Sequence, residues 1–594
     1  MIRILKLYTL VLILLLCASC KQTRPENRVL PPDNNAQKIS DFALLDEQGH
    51  FQQISYYSDY DAVVVISHGV GCPVVRQQSH DIEALKQQFQ AEKVMFLFLN
   101  ANQQDSRDSI QAETKDYGVT IPVMVDETQM IAKALGLNRT GEALLIDPKT
   151  LTIRYRGPIN DRLNYEAQKA EPKESYLKDA LNQYLSGKKI ERPEIMSIGC
   201  AIAFHDENID TYKSISYSKT IAPLLHQKCM ACHRQGGVAP WAMTDYQTVK
   251  GWSGMMREVI RTKRMPPWQA DPHVGSFKND ISLSIEEQRE LLHWIESGAK
   301  KEADEVDPLL DYSKEKITLE WPLGKPDLIL STDIQTIPAT GETGYRYVNI
   351  DPKLDQDIWV SAIHVRPTNM RAMHHAFVMV DAPLSYNKTA KHKISNDWKS
   401  GVIGTYAPGI YFGEVAPEGT AHFIPAHSKI KLQLHYQSTG KIEQDQMQVA
   451  FYFTQAKNLK QLFGDGVVKR LLRIPPYEQS WPASAEYKFS APVTIFDMMP
   501  HMHYRGKEAY YLAQYPDNHV EPILSVPNYR FNWQREYVLK EPLQLPAGSS
   551  LLFNGSFDNS TQNIFNPDPA ATIGFGERSI DEMFIGYFTY VYNE

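Results

Sequence analysis

Ala62-Val63-Val64-Val65-Ile66, followed at once by Ser67-His68-Gly69-Val70-Gly71-Cys72-Pro73, is the stretch from which the fold can first be read. Five apolar residues in succession leave no polar face, so the run reads as a strand buried on both sides of a sheet. A helical pattern follows over Asp81 to Gln90, then a second apolar run over Val94 to Leu99 and a third over Ala143 to Ile146. Strands alternating with helices predict an α/β domain with a mostly parallel sheet, placed at 37–190.

On the N-terminal side, Arg3 and Lys6 precede an apolar stretch from Leu7 to Leu16 that stops at Cys17-Ala18-Ser19-Cys20. That stretch is too short for a comfortable membrane span and reads as an export signal. Small residues running into a cysteine resemble the bacterial lipobox, although Cys17 stands where leucine is usual. The resemblance implies a signal over 1–20, cleavage, and lipidation of Cys20, with 21–36 as a polar tether. Lys21 is not the aspartate that often retains lipoproteins in the inner membrane. An exported, lipid-anchored protein facing the periplasm or on the outer-membrane surface is therefore expected. The 594 residues are too many for one core, so several domains are expected. The formal charge of -8, with no long basic run, argues against nucleic acid as a partner.

Export would place Cys72, Cys200, Cys229 and Cys232 in an oxidising compartment. The turn Ser67 to Pro73 resembles the redox-site turn of thioredoxin-like and peroxiredoxin-like domains. A thioredoxin would need a second cysteine at position 75, where this chain has Val75, and the family's usual proline facing the thiol is missing from Thr140-Gly141-Glu142-Ala143. Arg76 lies close enough in sequence to activate a lone thiolate. Three readings stay open: a degenerate structural module, a Cys72 to Cys200 disulfide, and thiol catalysis at Cys72.

Beyond a connector at 191–215, residues 216–303 are read as almost wholly helical, with helices over Thr244 to Arg264 and Ser284 to Ser297. They contain Cys229-Met230-Ala231-Cys232-His233, the attachment signal for a c-type haem. Two thiols one helical turn apart can bond both vinyl groups while His233 reaches the iron. A zinc site would want further short-spaced ligands, and His226 alone does not supply them. The stretch Arg264-Met265-Pro266-Pro267-Trp268 resembles the methionine loop of such all-α cytochromes c, which implies Met265 as second axial ligand. Met255 and Met256 lie in a helix and are read as core.

After a linker at 304–324 the pattern changes to short strands of period two. In Lys429 to Gln437, Ile430, Leu432, Leu434 and Tyr436 share one face and His435 lies on the other. Recurring Pro- and Gly-rich turns predict β-sandwich lobes. Histidines cluster in Met373-His374-His375-Ala376, Gln433-Leu434-His435-Tyr436 and Pro500-His501-Met502-His503, with Asp581-Glu582-Met583 near the end. In order and spacing these groups resemble the copper type II, ascorbate-dependent monooxygenases, the family of the peptidylglycine α-hydroxylating and dopamine β-monooxygenases. The resemblance implies two all-β lobes, at 325–470 and 471–594. His374, His375 and His435 would hold a first, electron-storing copper, and His501, His503 and Met583 a second copper that activates oxygen.

The donor types suit that assignment, since imidazole supports both copper oxidation states and a thioether favours Cu(I). His501 and His503 at i and i+2 would share one side of a strand, whereas the adjacent His374 and His375 need a twist or bulge to converge. His364, His422 and His427 match no ligand motif and are read as structural. In the peptide-amidating branch an arginine and a tyrosine bind the substrate carboxylate; here Met499 and Tyr587 occupy those positions, so a C-terminal glycine peptide is a poor substrate.

The expected function is a copper-dependent monooxygenase that hydroxylates a C–H bond of a small molecule or peptide. It would use O2, two copper ions and electrons from one covalent haem c, with an external donor left open. The alternative is a non-enzymatic electron-transfer or copper-binding lipoprotein.

Overall fold

The computed structural model describes residues 37–163, 168–205, 215–314, 321–390, 393–394, 401–408 and 414–593. The signal, the tether and the lipidation residue Cys20 lie outside the described residues. Among the described residues, no helix is long and apolar enough to cross a membrane.

The α/β domain is built on Ala62–His68 (β1), Val94–Asn100 (β2), Val123–Val125 (β3), Glu142–Asp147 (β4) and Thr152–Pro158 (β5), in the order β3-β2-β1-β4-β5. Every residue of β1 is buried, as its unbroken apolar run requires. The sheet is not the mostly parallel one expected: β1 pairs with β2 and β2 with β3 in parallel, while β4 runs antiparallel to both β1 and β5. The connection from Asp147 to Thr152 is too short for a crossover and permits only an antiparallel return. The helix after β1, Pro73–Gln88 (α1), begins eight residues before the expected Asp81. Pro73 stands at its first turn, where the missing N–H costs nothing and the fixed φ suits a helix.

Residues 215–314 are not the almost wholly helical stretch expected: the helices Ala222–Lys228 (α2), Tyr246–Arg261 (α3) and Ile285–Glu296 (α4) lie around the buried Tyr217, Leu225, Val249 and Trp294, and turns and irregular chain, rich in Gly and Pro, run between them. Asp245 caps α3 by accepting the N–H of Thr248, and Ser284 with Glu287 forms a capping box on α4. Met256 joins this core as expected. Met255 does not; it is 45% exposed, because it lies about 100° around the helix from Met256, off the side that carries Val249, Met256 and Ile260 into the core.

Among the described residues from 321 onward the chain is built of strands, apart from the short helix Leu384–Thr389. Arg346–Ile350 (β6), Ile358–Arg366 (β7), Met373–Asp381 (β8), Val402–Tyr406 (β9), Thr420–Ile424 (β10), Lys429–Tyr436 (β11) and Gln448–Phe453 (β12) form two sheets, β6-β11-β8-β9 and one centred on β10-β7-β12. Their facing sides bury Ile363, Val378, Leu432 and Phe451. Phe463–Val468 (β13), Trp481–Lys488 (β14), Val493–His501 (β15), Gly506–Gln514 (β16), Val520–Val526 (β17), Tyr537–Leu545 (β18), Ser550–Phe557 (β19) and Ile585–Tyr592 (β20) form a second pair, β13-β20-β15-β18 and β14-β19-β16-β17. Tyr511, Phe553, Phe557 and Phe588 fill the core of that pair. The second set begins at Phe463, since β13 pairs with β20. Where the two lobes meet, Phe377, Met379 and Val402 of the first pack on Met499, Met583, Ile585 and Tyr587 of the second.

The segment after Met265 docks on the second lobe. Arg535 donates its Nε–H to the carbonyl of Pro267 (3.0 Å), the N–H of Asp271 reaches the carbonyl of Ser525 (2.8 Å), and Lys278 and Val538 are joined at 2.8 Å. Trp268 meets the ring of Tyr537 edge-on at 4.8 Å.

Candidate metal centre

The junction of the two lobes holds a cluster of five histidines. His374 and His375 sit at the start of β8, and His435 sits opposite them near the end of β11. A register shift between Met373 and His375 supplies the bulge that lets adjacent side chains turn toward one point. The Nδ1 atoms of His374 and His375 lie 2.9 Å apart. One ligand atom from each of His374, His375 and His435 can be chosen so that all lie within 4.8 Å of one another, and all three residues are buried.

The second lobe contributes His501 and His503. β15 ends at His501, so His503 lies just past the strand rather than on it as expected. Their rings are nevertheless 5.3 Å apart, because His503 is held from elsewhere: its N–H donates to Glu582 Oε2 at 2.8 Å and its Nδ1 lies 3.1 Å from the carbonyl of Asp581. His501 Nδ1 is 2.8 Å from Gln534 Oε1. Each of these rings, donating from Nδ1, presents Nε2. The two groups are neighbours, with 5.6 Å between the rings of His375 and His501.

Met583 is 3% exposed in the apolar layer that joins the lobes, beside Phe377 and Tyr587. It is tied to the histidines through its neighbour Glu582, whose other oxygen accepts the N–H of Arg505 at 2.7 Å. Burial pushes the Glu582 carboxyl up to about 8, against the lowering pull of these N–H groups and the Arg505 charge.

Four residues at the junction were not found from the sequence. Tyr345 lies between the groups, its ring 4.5 Å from that of His435 and its hydroxyl 3.3 Å from His503 Nε2. Phe531 of the second lobe stacks on His374 at 4.5 Å. Gln534 and Ser579, the latter 3.4 Å from His435 Nε2, complete the surroundings. None of the four lies in a spaced motif.

Burial holds all five imidazoles neutral. It lowers His374 and His435 to about 3 and His501 to about 4, and carries His375 and His503 well below the ordinary value of 6.5, with the other rings of the cluster adding to the effect on His375. The buried Nε2 atoms of His374 and His375 and Nδ1 of His435 have no hydrogen-bond partner. Neutral imidazoles with orphaned nitrogens at this separation fit a metal ion such as copper.

In the helical segment, His233 Nδ1 lies 3.1 Å from the carbonyl of Trp241, which leaves Nε2 for another bond. Burial lowers the His233 pKa and pushes the Cys229 thiol up to about 12. Met265 follows α3 on a turn in which its N–H donates to the carbonyl of Val259 at 3.1 Å. A fixed imidazole tautomer beside two thiols that form no disulfide fits a covalently held haem.

In the α/β domain, Cys72 precedes α1 and its Sγ is 2.9 Å from Cys200 Sγ and 3.0 Å from Thr140 Oγ1. Thr140 thus faces the thiol where the family's proline was sought. Arg76 is engaged elsewhere, its Nη2 lying 2.5 Å from Glu113 Oε2.

This sheet, with a cysteine at the foot of α1, defines a thioredoxin-like domain. Residues 36–162 match the AhpC/TSA family. Similar solved structures include a hypothetical protein from Sinorhizobium meliloti 1021, at 22% identity over 30% of this chain and 98% of that one, TM-score 0.27. Others are an uncharacterized conserved protein from Geobacillus kaustophilus (23%, 31% and 95%, TM-score 0.27) and the exposed lipoprotein thioredoxin of Streptococcus pneumoniae strain TIGR4 (18%, 25% and 98%, TM-score 0.20). No curated protein matches the chain.

The lowered imidazoles fix how metal-free protein responds to acid. Above pH 6.5 these histidines are neutral folded or unfolded. Between 6.5 and about 3 to 4 the unfolded chain takes up protons that the folded cluster refuses, so stability falls as pH falls. Melting temperatures of metal-free protein from pH 7 to pH 4 should drop less for His374→Asn than for the parent chain. Equal drops would contradict the burial of this ring.

Proposed function

We propose that the chain is a copper-dependent monooxygenase that hydroxylates a C–H bond of an organic substrate with O2, fed by a c-type haem in its helical segment. The observation that carries this reading is the buried convergence of His374, His375 and His435, 5.6 Å ring to ring from the His501 and His503 pair of the facing lobe.

His374, His375 and His435 would hold one copper and His501, His503 and Met583 the other; bound there, copper would supply the one-electron steps that O2 reduction needs. The chain's own residues do the rest. Neutral imidazoles offer lone pairs at physiological pH without first losing a proton. Gln534 and the Asp581 carbonyl fix the tautomers of His501 and His503, so each Nε2 is directed before any ion arrives. The apolar layer of Phe377, Met499, Met583 and Tyr587 excludes water on one side of the centre. Met499 offers no charge to a carboxylate, which favours an uncharged or apolar substrate. Cys229, Cys232 and His233 would hold the haem, with Met265 as its second axial ligand. Export and lipidation at Cys20 are part of the same proposal and agree with a site of haem attachment outside the cytoplasm.

Copper titration of the metal-free chain should saturate at two ions. Gln534→Leu should weaken one of them by roughly 10 to 100-fold and the other far less, since His501 is the imidazole that Gln534 holds directly and the first set feels the change only through Phe531, whose carbonyl Gln534 Nε2 also meets. A single ion, or two ions affected alike, would overturn the two-site assignment.

With a reductant, O2 and a panel of candidate substrates, product mass should rise by one oxygen atom. Met583→Ile should keep most of the copper and lose roughly tenfold or more of this activity, because Cu(I) loses its soft donor. Copper binding with no oxygenated product across the panel would favour an electron-transfer or storage protein.

Expressed in a host that attaches haem, the protein should give a haem-peroxidase band on a denaturing gel, and Cys229→Ala with Cys232→Ala should abolish it. An unstained parent chain would remove the haem from the proposal.

A further inference from the structure

The proposed copper chemistry makes no use of the thiol pair of the α/β domain. Cys200 lies outside the span matched to the AhpC/TSA family, on the segment that leaves the domain toward the helices. That segment is stitched across the mouth of the turn before α1. The N–H of Thr140 donates to the Cys200 carbonyl (2.9 Å), Arg139 Nη1 to the Gly199 carbonyl (2.9 Å), the N–H of Ile202 to Asn138 (3.0 Å) and the N–H of Ala203 to Asn102 Oδ1 (3.0 Å). Only glycine fits at 199, where a Cβ would stand 1.9 Å from the carbonyl oxygen of Thr140. The result is two free sulfurs 2.9 Å apart, with Cys72 5% exposed and Cys200 the more accessible of the two.

We propose that Cys72 and Cys200 form a dithiol–disulfide couple that exchanges with small disulfides, with Cys200 as the sulfur that meets the reactant and Cys72 as the sulfur that closes the bond. In the first step Cys200 attacks a small disulfide RSSR, its proton going to solvent or to the leaving thiolate; a Cys200–SR bond forms and RS⁻ leaves. In the second, Cys72 attacks Cys200 Sγ, the second RS⁻ leaves, and the Cys72 proton goes to solvent or to the leaving thiolate. Two protein thiols are oxidised by two electrons and one RSSR becomes two RSH. The direction of exchange agrees with the surroundings. Burial raises the Cys72 thiol, but hydrogen bonds from Cys200 and Thr140 bring it below its ordinary value, while burial and Cys72 both raise Cys200. In the reverse reaction, a thiol attacking the accessible Cys200 expels Cys72, the better leaving group.

The test is equilibration of the full-length, copper-free protein in buffers of reduced and oxidised glutathione, followed by acid quenching and peptide mass analysis. The peptide linked through Cys72 and Cys200 should rise from absent to dominant as the buffer becomes more oxidising, its ratio to the dithiol form following oxidised glutathione divided by the square of reduced glutathione, as a two-thiol reaction requires. It is distinguished by mass from any Cys229–Cys232 product. Cys72→Ser should trap glutathione on Cys200, whereas Cys200→Ser should leave Cys72 largely unmodified. The parent titration needs no variant to fold. No linked peptide at any ratio would overturn the couple, and glutathione accumulating on Cys72 in Cys200→Ser would overturn the order of attack. Neither outcome bears on copper.

Discussion

A buried nitrogen that can neither donate nor accept costs about 1–3 kcal/mol. At the meeting of the two β lobes this chain keeps three such atoms, on His374, His375 and His435, and surrounds them with two more buried imidazoles. No local preference of the backbone would assemble such a group. It persists because four of the rings belong to sheets whose opposite faces are committed to full hydrophobic cores, with Leu432, Leu434 and Val378 behind one set and Ile495 and Met498 behind His501, while His503 is held just past its strand by Glu582. The cores hold the strands, and the strands hold nitrogens that would otherwise separate.

Each lobe then fixes its own histidines differently. In the first lobe a bulge aims them, a device of backbone register. In the second, polar anchors aim them. Glu582 accepts successive N–H groups of the chain around His503, and Arg505, 1% exposed, is satisfied by Asn559 Oδ1 and the carbonyl of Ile580, both at 2.8 Å. Charged groups this deep are tolerated only when paired and fully hydrogen-bonded, which makes the loop around His503 as determined as a strand.

Periodicity carried much of this into the sequence. The alternation in Lys429 to Gln437 shows which face of the strand His435 occupies, and the impossibility of converging neighbours on a regular strand calls for the irregularity at His374. Helix bounds at Asp245 and Ser284 follow from caps, which are local chemistry. Strand direction in the first domain does not follow from composition, because a buried run looks the same whichever way its neighbour points. Met255 and Met256 are chemically alike, and only the phase of the helix separates them. Gln534, Tyr345 and Phe531 come from loops and a strand edge with no periodic signal, and they reach the histidines only through the folded chain. The same is true of Cys200, which met Cys72 in the sequence by elimination and meets it in the structure through four backbone-anchoring hydrogen bonds.

The docking of the segment from Pro267 to Asn279 along the second lobe sets more than shape. A helical unit joined only by flexible linkers would meet the β lobes by diffusion within a tethered volume, and transfer between them would carry an encounter cost. Here Arg535, which grips Pro267, is the immediate neighbour of Gln534, which grips His501. On the proposed function, a redox group carried on the helical unit would thereby be held at one separation and orientation from the histidine cluster. Delivery would then be a unimolecular event whose rate is indifferent to dilution, with the orientation set once, at folding, rather than at every turnover.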